Sequence, residues 1–260
     1  MNSRPERQSP LIRFILLIIL AGAVIAGMVL LFQLSEQGSS AQTGNNAASK
    51  TKAAEEESDD DSDDSGLYPP IKSKVDFNKN GVNDYKDFLI GARKYIETNP
   101  RYDEYGYYAG GYPPDDVGVC TDVIWKAFKN AGYSLKDMVD EDIKNHPSDY
   151  AEISKPDPNI DFRRVVNLKV FLDKYATKLT TDPAIVTEWQ GGDIVTFYPG
   201  HIAIISDKRN ANGVTFLLQN GSVAQEADAI YNAEISGHYR FDASKIDRKL
   251  LIKYKTPNTS

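Results

Sequence analysis

Gly118-Val119-Cys120-Thr121-Asp122-Val123-Ile124-Trp125 holds the single cysteine of a 260-residue chain. Val123, Ile124, Ala127, Phe128 and Ala131 follow at helical spacing, which predicts an amphipathic helix with Cys120 in its first turn. At such a position the unpaired N–H groups and the positive end of the helix dipole favour a thiolate over a thiol. The ordinary thiol pKa is about 8.5, so a modest lowering makes a nucleophile near neutral pH. The other reading is a small buried hydrophobe, the common fate of a lone cysteine.

Upstream, Arg4, Arg7 and Arg13 stand against one acid, Glu6, and Phe14 to Phe32 then runs 19 residues without a charge. That length spans a bilayer core and exceeds the apolar stretch of a usual signal peptide. The positive flank places the N-terminus in the cytoplasm and everything after residue 33 outside. The segment 1–33 reads as a cytoplasmic tail and an uncleaved single-pass signal anchor in the cell membrane; cleavage near Ser40-Ala41 is the other option. No lipobox-type cysteine follows. An extracytoplasmic chain with one cysteine forms no internal disulfide, and a thiol exposed to oxidation needs a reason to be there. Nucleophilic catalysis is one.

Residues 34–66 are polar, and residues 55–64 hold eight acids. Such a run cannot bury enough apolar surface to offset ordering entropy, which predicts a disordered, self-repelling linker. The net charge of −7 belongs to it, since without those eight acids the chain would stand at about +1. With no basic stripe or nucleic-acid motif, nucleic acid is not indicated as a partner. The globular part is expected at 67–257, one domain with a real core.

At its start, residues 76–87 fit an EF-hand-like loop. Asp76, Asn78 and Asn80 would supply oxygens at positions one, three and five, and Gly81 the sharp turn. The Val82 carbonyl, Asp84 at position nine and Asp87 at the last position would complete the ligands of a structural Ca2+. Asp at the last place departs from the EF-hand Glu and looks like the loops of dockerins and extracellular calcium repeats. The alternative is an Asx-rich turn capping a helix from Tyr85. Phe88, Leu89, Ala92, Tyr95 and Ile96 give that helix its apolar face.

Between Arg101 and Tyr112 the chain is dense in Tyr and Gly, which suits either a substrate wall or packing over the preceding helix. Leu135 to Asn145 reads as a helix whose Asp137, Asp140, Glu141 and Asp142 form a solvated face. A loop from Pro156 leads to a helix from Val166 to Tyr175 that Asp161 could cap. Arg163 and Arg164 could clamp a carboxylate bidentately or pair internally with Asp157 and Asp161.

After the helices come strand signals: Ile194 to Phe197, His201 to Asp207, Val214 to Asn220 beyond an Asn212-Gly213 hairpin turn, and Glu234 to Phe241. Helices followed by an antiparallel meander predict an α+β fold with N-terminal helices packed on a small antiparallel sheet. A cysteine nucleophile needs a base. Of His146, His201 and His238, the first suits a surface helix end and the third lies inside a late strand. His201 opens a strand after a glycine turn, where an imidazole can reach a helix terminus. A third polar group must orient it, and Gln219 and Asn220 at the end of the next strand can both accept from a ring N–H.

The order of these parts resembles the NlpC/p60-like, papain-related cysteine peptidases: Gly118-Val119-Cys120, then Gly192-Asp193-Ile194-Val195, then Gly200-His201-Ile202-Ala203-Ile204, then Leu218-Gln219-Asn220. More narrowly it is similar to the bacterial family called domain of unknown function 1287, through residues 118–123, 156–165, 191–195, 201–209 and 237–240, over about residues 76–245. The resemblance implies an extracytoplasmic cysteine amidase or endopeptidase on peptidoglycan peptides, with Cys120 as nucleophile and His201 as base. Its third residue falls on Gln219, where relatives often carry His. A non-catalytic wall-binding module of the same fold and a thiol-dependent acyltransferase are the rival functions.

Overall fold

The computed structural model describes residues 68–256. The expected membrane anchor and acidic linker lie outside the described residues. The fold is α+β, four α-helices with an antiparallel sheet. The helices are α1 (Asp84–Glu97), α2 (Cys120–Asn130), α3 (Leu135–Asn145) and α4 (Val165–Tyr175). A short parallel pair, β1 (Arg101–Tyr102) and β2 (Val117–Gly118), lies between α1 and α2 in sequence. The main sheet holds β3 (Thr177–Lys178), β4 (Ile194–Phe197), β5 (His201–Arg209), β6 (Thr215–Asn220), β7 (Ala224–Ala227) and β8 (Ile235–Arg240), in the order β3-β8-β4-β5-β6-β7.

That order corrects the expected meander. β8 pairs antiparallel with β4, Val195 opposite His238 and Ile194 opposite Tyr239, and not with the strand before it. All four residues of β4 are buried. A buried strand with one open edge would leave its amide groups without partners, so the last strand returns to close that edge.

Alternation along the strands divides the core into two. Ile194, Ile202, Ile204, Leu218 and Tyr239 pack with the helices, while Val195, Phe197, Ala203, Ile205 and Leu217 pack with Trp189 and Ile230. On the helix side Phe128 stacks on Phe88 at 4.8 Å between ring centroids and meets Phe241 edge-on at the same distance. Gly91 brings α1 and α2 together. A Cβ there would lie 2.6 Å from the Asn130 Cβ and 2.9 Å from the Ala127 Cα.

Helix α3 has the expected bounds, but its acids are not all solvated. Asp142 is fully buried and accepts from Tyr150 Oη at 2.5 Å, Lys174 Nζ at 2.8 Å, Tyr175 Oη and His146 Nδ1. The helical period that exposes Glu141 turns Asp142 towards α4. Asp161 does not cap α4, whose N-cap is Arg164; it accepts instead from the Asp157 N–H at 2.6 Å and so shapes the loop ahead of the helix.

Candidate functional site

Cys120 is the first residue of α2, as its sequence implies, and only 5% exposed. The chain enters the helix through Gly118, whose Cα packs so closely that a Cβ there would overlap the Tyr95 hydroxyl. The thiol meets strand β5. The backbone N–H groups of Ile202, Thr121 and Cys120 itself act on the sulfur, each favouring its ionised form. The β5–β6 ladder is paired at Ile204↔Leu218 and Ile205↔Leu217. Ile202 lies beyond that ladder, so the nucleophile candidate sits by a stretch of β5 that β6 does not pair.

The residue before Ile202 is His201, whose ring lies 5.9 Å from that of its cross-strand partner Phe197. The His201 ring is half-buried, and the ring Nε2–H donates to Gln219 Oε1 at 2.7 Å. Gln219 is therefore the orienting residue of the two proposed. Asn220 is not: its side chain is fully buried, and neither its Nδ2 nor its Oδ1 has a hydrogen-bond partner in the protein. The amide lies close enough to the Tyr95 hydroxyl to influence its ionisation, but no well-aligned bond joins them. Strand alternation separates Gln219 from Asn220, since neighbouring side chains leave on opposite faces. The side of the site beyond His201 is open: Gly221 adjoins its ring, 3.3 Å from Cε1 to where a Cβ would stand, and Gly221, Ser222 and Val223 are exposed.

The electrostatics correct one expectation. Burial pushes the Cys120 thiol up to about 11, opposed by the N–H groups of Ile202, Thr121 and Cys120, with the nearby Asp122 charge adding to the rise. The helix N-terminus does act on the sulfur, but the loss of water outweighs it. Burial also lowers the His201 pKa below the usual 6.5, opposed by Gln219. Both shifts favour the uncharged forms, a thiol at Cys120 and an imidazole at His201.

The other histidines have different work. His146 lies on the surface, its Nδ1 2.8 Å from Asp142. His238 is buried, stacked on Trp189 at 3.8 Å, with Nδ1 2.8 Å from the Thr180 carbonyl and Nε2 3.1 Å from Asp193. Arg240 holds the same carboxylate with two bonds of 2.7 Å. Both nitrogens of His238 are engaged, which leaves it no base function.

Residues that the sequence reading passed over surround the thiol. Tyr102 and Tyr95 have hydroxyls near it, and burial, followed by the charge of Cys120, pushes Tyr102 up to about 12. Asp122 is completely buried and grips Arg163 bidentately, Nε to Oδ1 and Nη2 to Oδ2, both at 2.9 Å. Internal pairing of the arginines was expected, with Asp157 and Asp161 as partners; the partner of Arg163 is Asp122, 41 residues upstream. Nothing in the local pattern points across that separation.

In the 101–112 segment the tyrosines divide between packing on the following helix α2 and exposure. Tyr112 packs on Trp125 at 4.7 Å, whereas Tyr105 and Tyr107 remain exposed. No helix among the described residues is long and apolar enough to cross a membrane.

The loop at 76–87 is built of Asx-type turns. Lys79 and Gly81 take positive φ, 63° and 88°. Asp76 accepts from the Asn80 and Gly81 N–H groups, Asn78 Oδ1 from the Asn80 N–H, and Asn80 Oδ1 from the Val82 N–H. Asp87 accepts from the side-chain amides of Asn78, Asn80 and Asn130 at 2.9–3.2 Å. Asp84 turns inward instead, accepting from Tyr133 Oη at 2.6 Å and the Phe77 N–H at 2.9 Å, and is fully buried. No group of three or more His, Cys, Asp or Glu placed to hold a metal occurs among the described residues. The loop offers the carboxylates of Asp76 and Asp87 with amide oxygens.

The chain belongs to the family described as Domain of unknown function (DUF1287), whose match covers residues 89–241. The uncharacterized protein YijF of Escherichia coli (strain K12) is 33% identical over 189 residues, 68% of this chain and 89% of its own length. No solved structure matches the chain.

Proposed function

We propose that the domain is an extracytoplasmic cysteine amidase or endopeptidase of NlpC/p60-like type acting on peptide amides of peptidoglycan, held near the membrane by its N-terminal anchor and tether. The observation that carries this reading is the Cys120 sulfur in the first turn of a helix and close to the Ile202 backbone, next to which His201 opens β5 with its ring bonded to Gln219. Because the thiol is neutral at rest, His201 Nδ1 takes its proton as the sulfur attacks the carbonyl carbon. The backbone N–H of Cys120 faces the charge that develops on the carbonyl oxygen. His201 then gives that proton to the leaving amine. In the second half, water attacks the thioester, passing a proton to His201, and the acid is released as the thiol recovers a proton.

The buried, weakly acidic thiol favours a second reading, a wall-binding module without turnover. Digestion of purified Gram-positive peptidoglycan beside Cys120→Ala separates the two. Soluble muropeptides released by the native protein and absent with the variant are expected, and their masses name the bond cut. Equal binding to the wall with no release by either protein would establish the module instead.

The loop at 76–87 is proposed as a weak structural Ca2+ site using Asp76, Asn78, Asn80, the Val82 carbonyl and Asp87, with Asp84 committed to the core. Titration calorimetry is expected to show a dissociation constant of roughly 10⁻⁴–10⁻³ M, the range of extracellular modules, lost in Asp76→Ala. No heat, with an unchanged melting temperature, would leave the loop as an Asx-rich helix cap.

A further inference from the structure

We propose that the buried Asp122–Arg163 ion pair is the positioning and charge-setting device of Cys120; this rests on reading Cys120 as the nucleophile. Asp122 lies in the first turn of α2 and Arg163 in the turn before α4, with side chains 0% and 2% exposed. A buried pair gains little stability over well-packed apolar residues, so its presence there calls for another role. Its geometry ties together three segments near the thiol. Asp122 accepts from the Val119 N–H at 2.6 Å and Trp125 Nε1 at 2.5 Å, which fixes the residue before Cys120 and the next turn of the helix. Thr121 Oγ1 donates to the Arg163 carbonyl at 2.9 Å, and Arg163 Nη1 donates to the Gly106 carbonyl at 3.2 Å. The guanidinium also lies over the Tyr108 ring, 5.2 Å from its centroid. The Pro156–Val165 stretch, the tyrosine-rich loop and the nucleophile's helix thus meet on one guanidinium.

The charges around the sulfur explain why the pair matters. Tyr95 of α1, Tyr102 of β1 and Asp122 of α2 are the ionisable groups whose charges act with it, and His201 adjoins Ile202 on β5. The tyrosines and His201 are neutral at pH 7, so Asp122 is the fixed negative charge acting on the sulfur. It disfavours a second negative charge there, and its bidentate partner Arg163 offsets that effect. The pair lets a carboxylate hold the helix end while its guanidinium partner limits how far that charge raises the thiol.

The test is alkylation of the full-length protein by iodoacetamide as a function of pH, which needs no turnover. Asp122→Asn keeps the shape and leaves the guanidinium unopposed. The alkylation midpoint should fall by about one pH unit, roughly a tenfold faster reaction at a fixed pH below it. Arg163→Gln leaves the carboxylate bare and should slow the reaction about tenfold. The double variant should return close to the native rate. Loosening of the helix end would instead speed alkylation in both single variants, so opposite signs are the signature of charge. Near-ultraviolet circular dichroism checks folding. If Arg163→Gln does not fold, Arg163→Lys, which keeps the charge, should hold the native midpoint, and the double variant carries the comparison. Rates within twofold of native in all folded variants, or changes of one sign, overturn the proposal. Peptidoglycan digestion by the same proteins separates the readings. Opposed shifts with an inert native protein would sink the hydrolase and leave the ion-pair role standing, while an active enzyme without the shifts would do the reverse.

Discussion

Asp142→Ala is expected to cost about 3–5 kcal/mol of folding stability, the usual effect of removing one partner from a buried charge pair, and to lower Tm by roughly 10 °C for a domain of this size. Asp142 is the meeting point of α3, α4 and the turn after α3. Lys174 donates to both of its oxygens, and the hydroxyls of Tyr150 and Tyr175 and the ring of His146 complete its partners. Tyr150 is buried, so truncation strands its hydroxyl without an acceptor. Burial alone would raise the Asp142 pKa, but Lys174, then Tyr150, Tyr175 and His146, overcome it and hold the carboxyl below the usual 3.8. A depressed carboxyl pKa contributes stability that is complete above the unfolded value and disappears as pH falls through the folded one. The gap between native protein and Asp142→Asn should therefore be widest near neutral pH and close on acidification below about pH 4. Urea unfolding of both proteins at pH 7 and pH 3 measures it. A gap equal at the two pH values would show that packing, not the ionised carboxylate, supplies the stability.

The hub also shows where sequence reading stops. Period 3.6 set the bounds of α3 and its apolar residues, because burial of Leu135, Met138, Val139 and Ile143 repeats along the helix. The same period could not show that α4, twenty residues on, would bring a lysine and a tyrosine to Asp142. Arg163 has the same history: two adjacent arginines announced an internal pair, while the choice of Asp122 was made by the packing of a loop on a helix. Local signals located Cys120, since a glycine, a lone cysteine and a helical apolar repeat adjoin one another. They located His201 through the turn before its strand. They could not separate Gln219 from Asn220, because that depends on which face of β6 each presents. Nor did they give the thiol's ionisation. The helix end is written in the sequence, whereas the burial that outweighs it is a property of the assembled sheet. The returning strand β8 escaped for a related reason, since its partner is chosen by which edge of the sheet is left to close.

Under the hydrolase reading, His201→Ala should lower muropeptide release about 10²–10⁴-fold, the usual contribution of a positioned general base, with little loss of stability because the ring is only half-buried. Gln219→Ala should lower it less, roughly tenfold or more, since the base survives but its Nε2–H loses the acceptor that fixes tautomer and orientation. The pH profile distinguishes orientation from mere damage. Burial holds the His201 pKa below 6.5 against the opposing pull of Gln219, so native activity should rise with pH along a limb centred below 6.5, as the ring becomes neutral and able to accept a proton. Removing Gln219 takes away the group that raises the pKa, and the limb should move further down. Gln219→Glu places a carboxylate against the same N–H and stabilises the imidazolium, so its limb should move up by about one unit or more. Between pH 6 and 7 that variant should lag the native protein and recover as the medium turns alkaline. Matching limbs in all three proteins would remove Gln219 from the ionisation of His201 and leave it only a packing role.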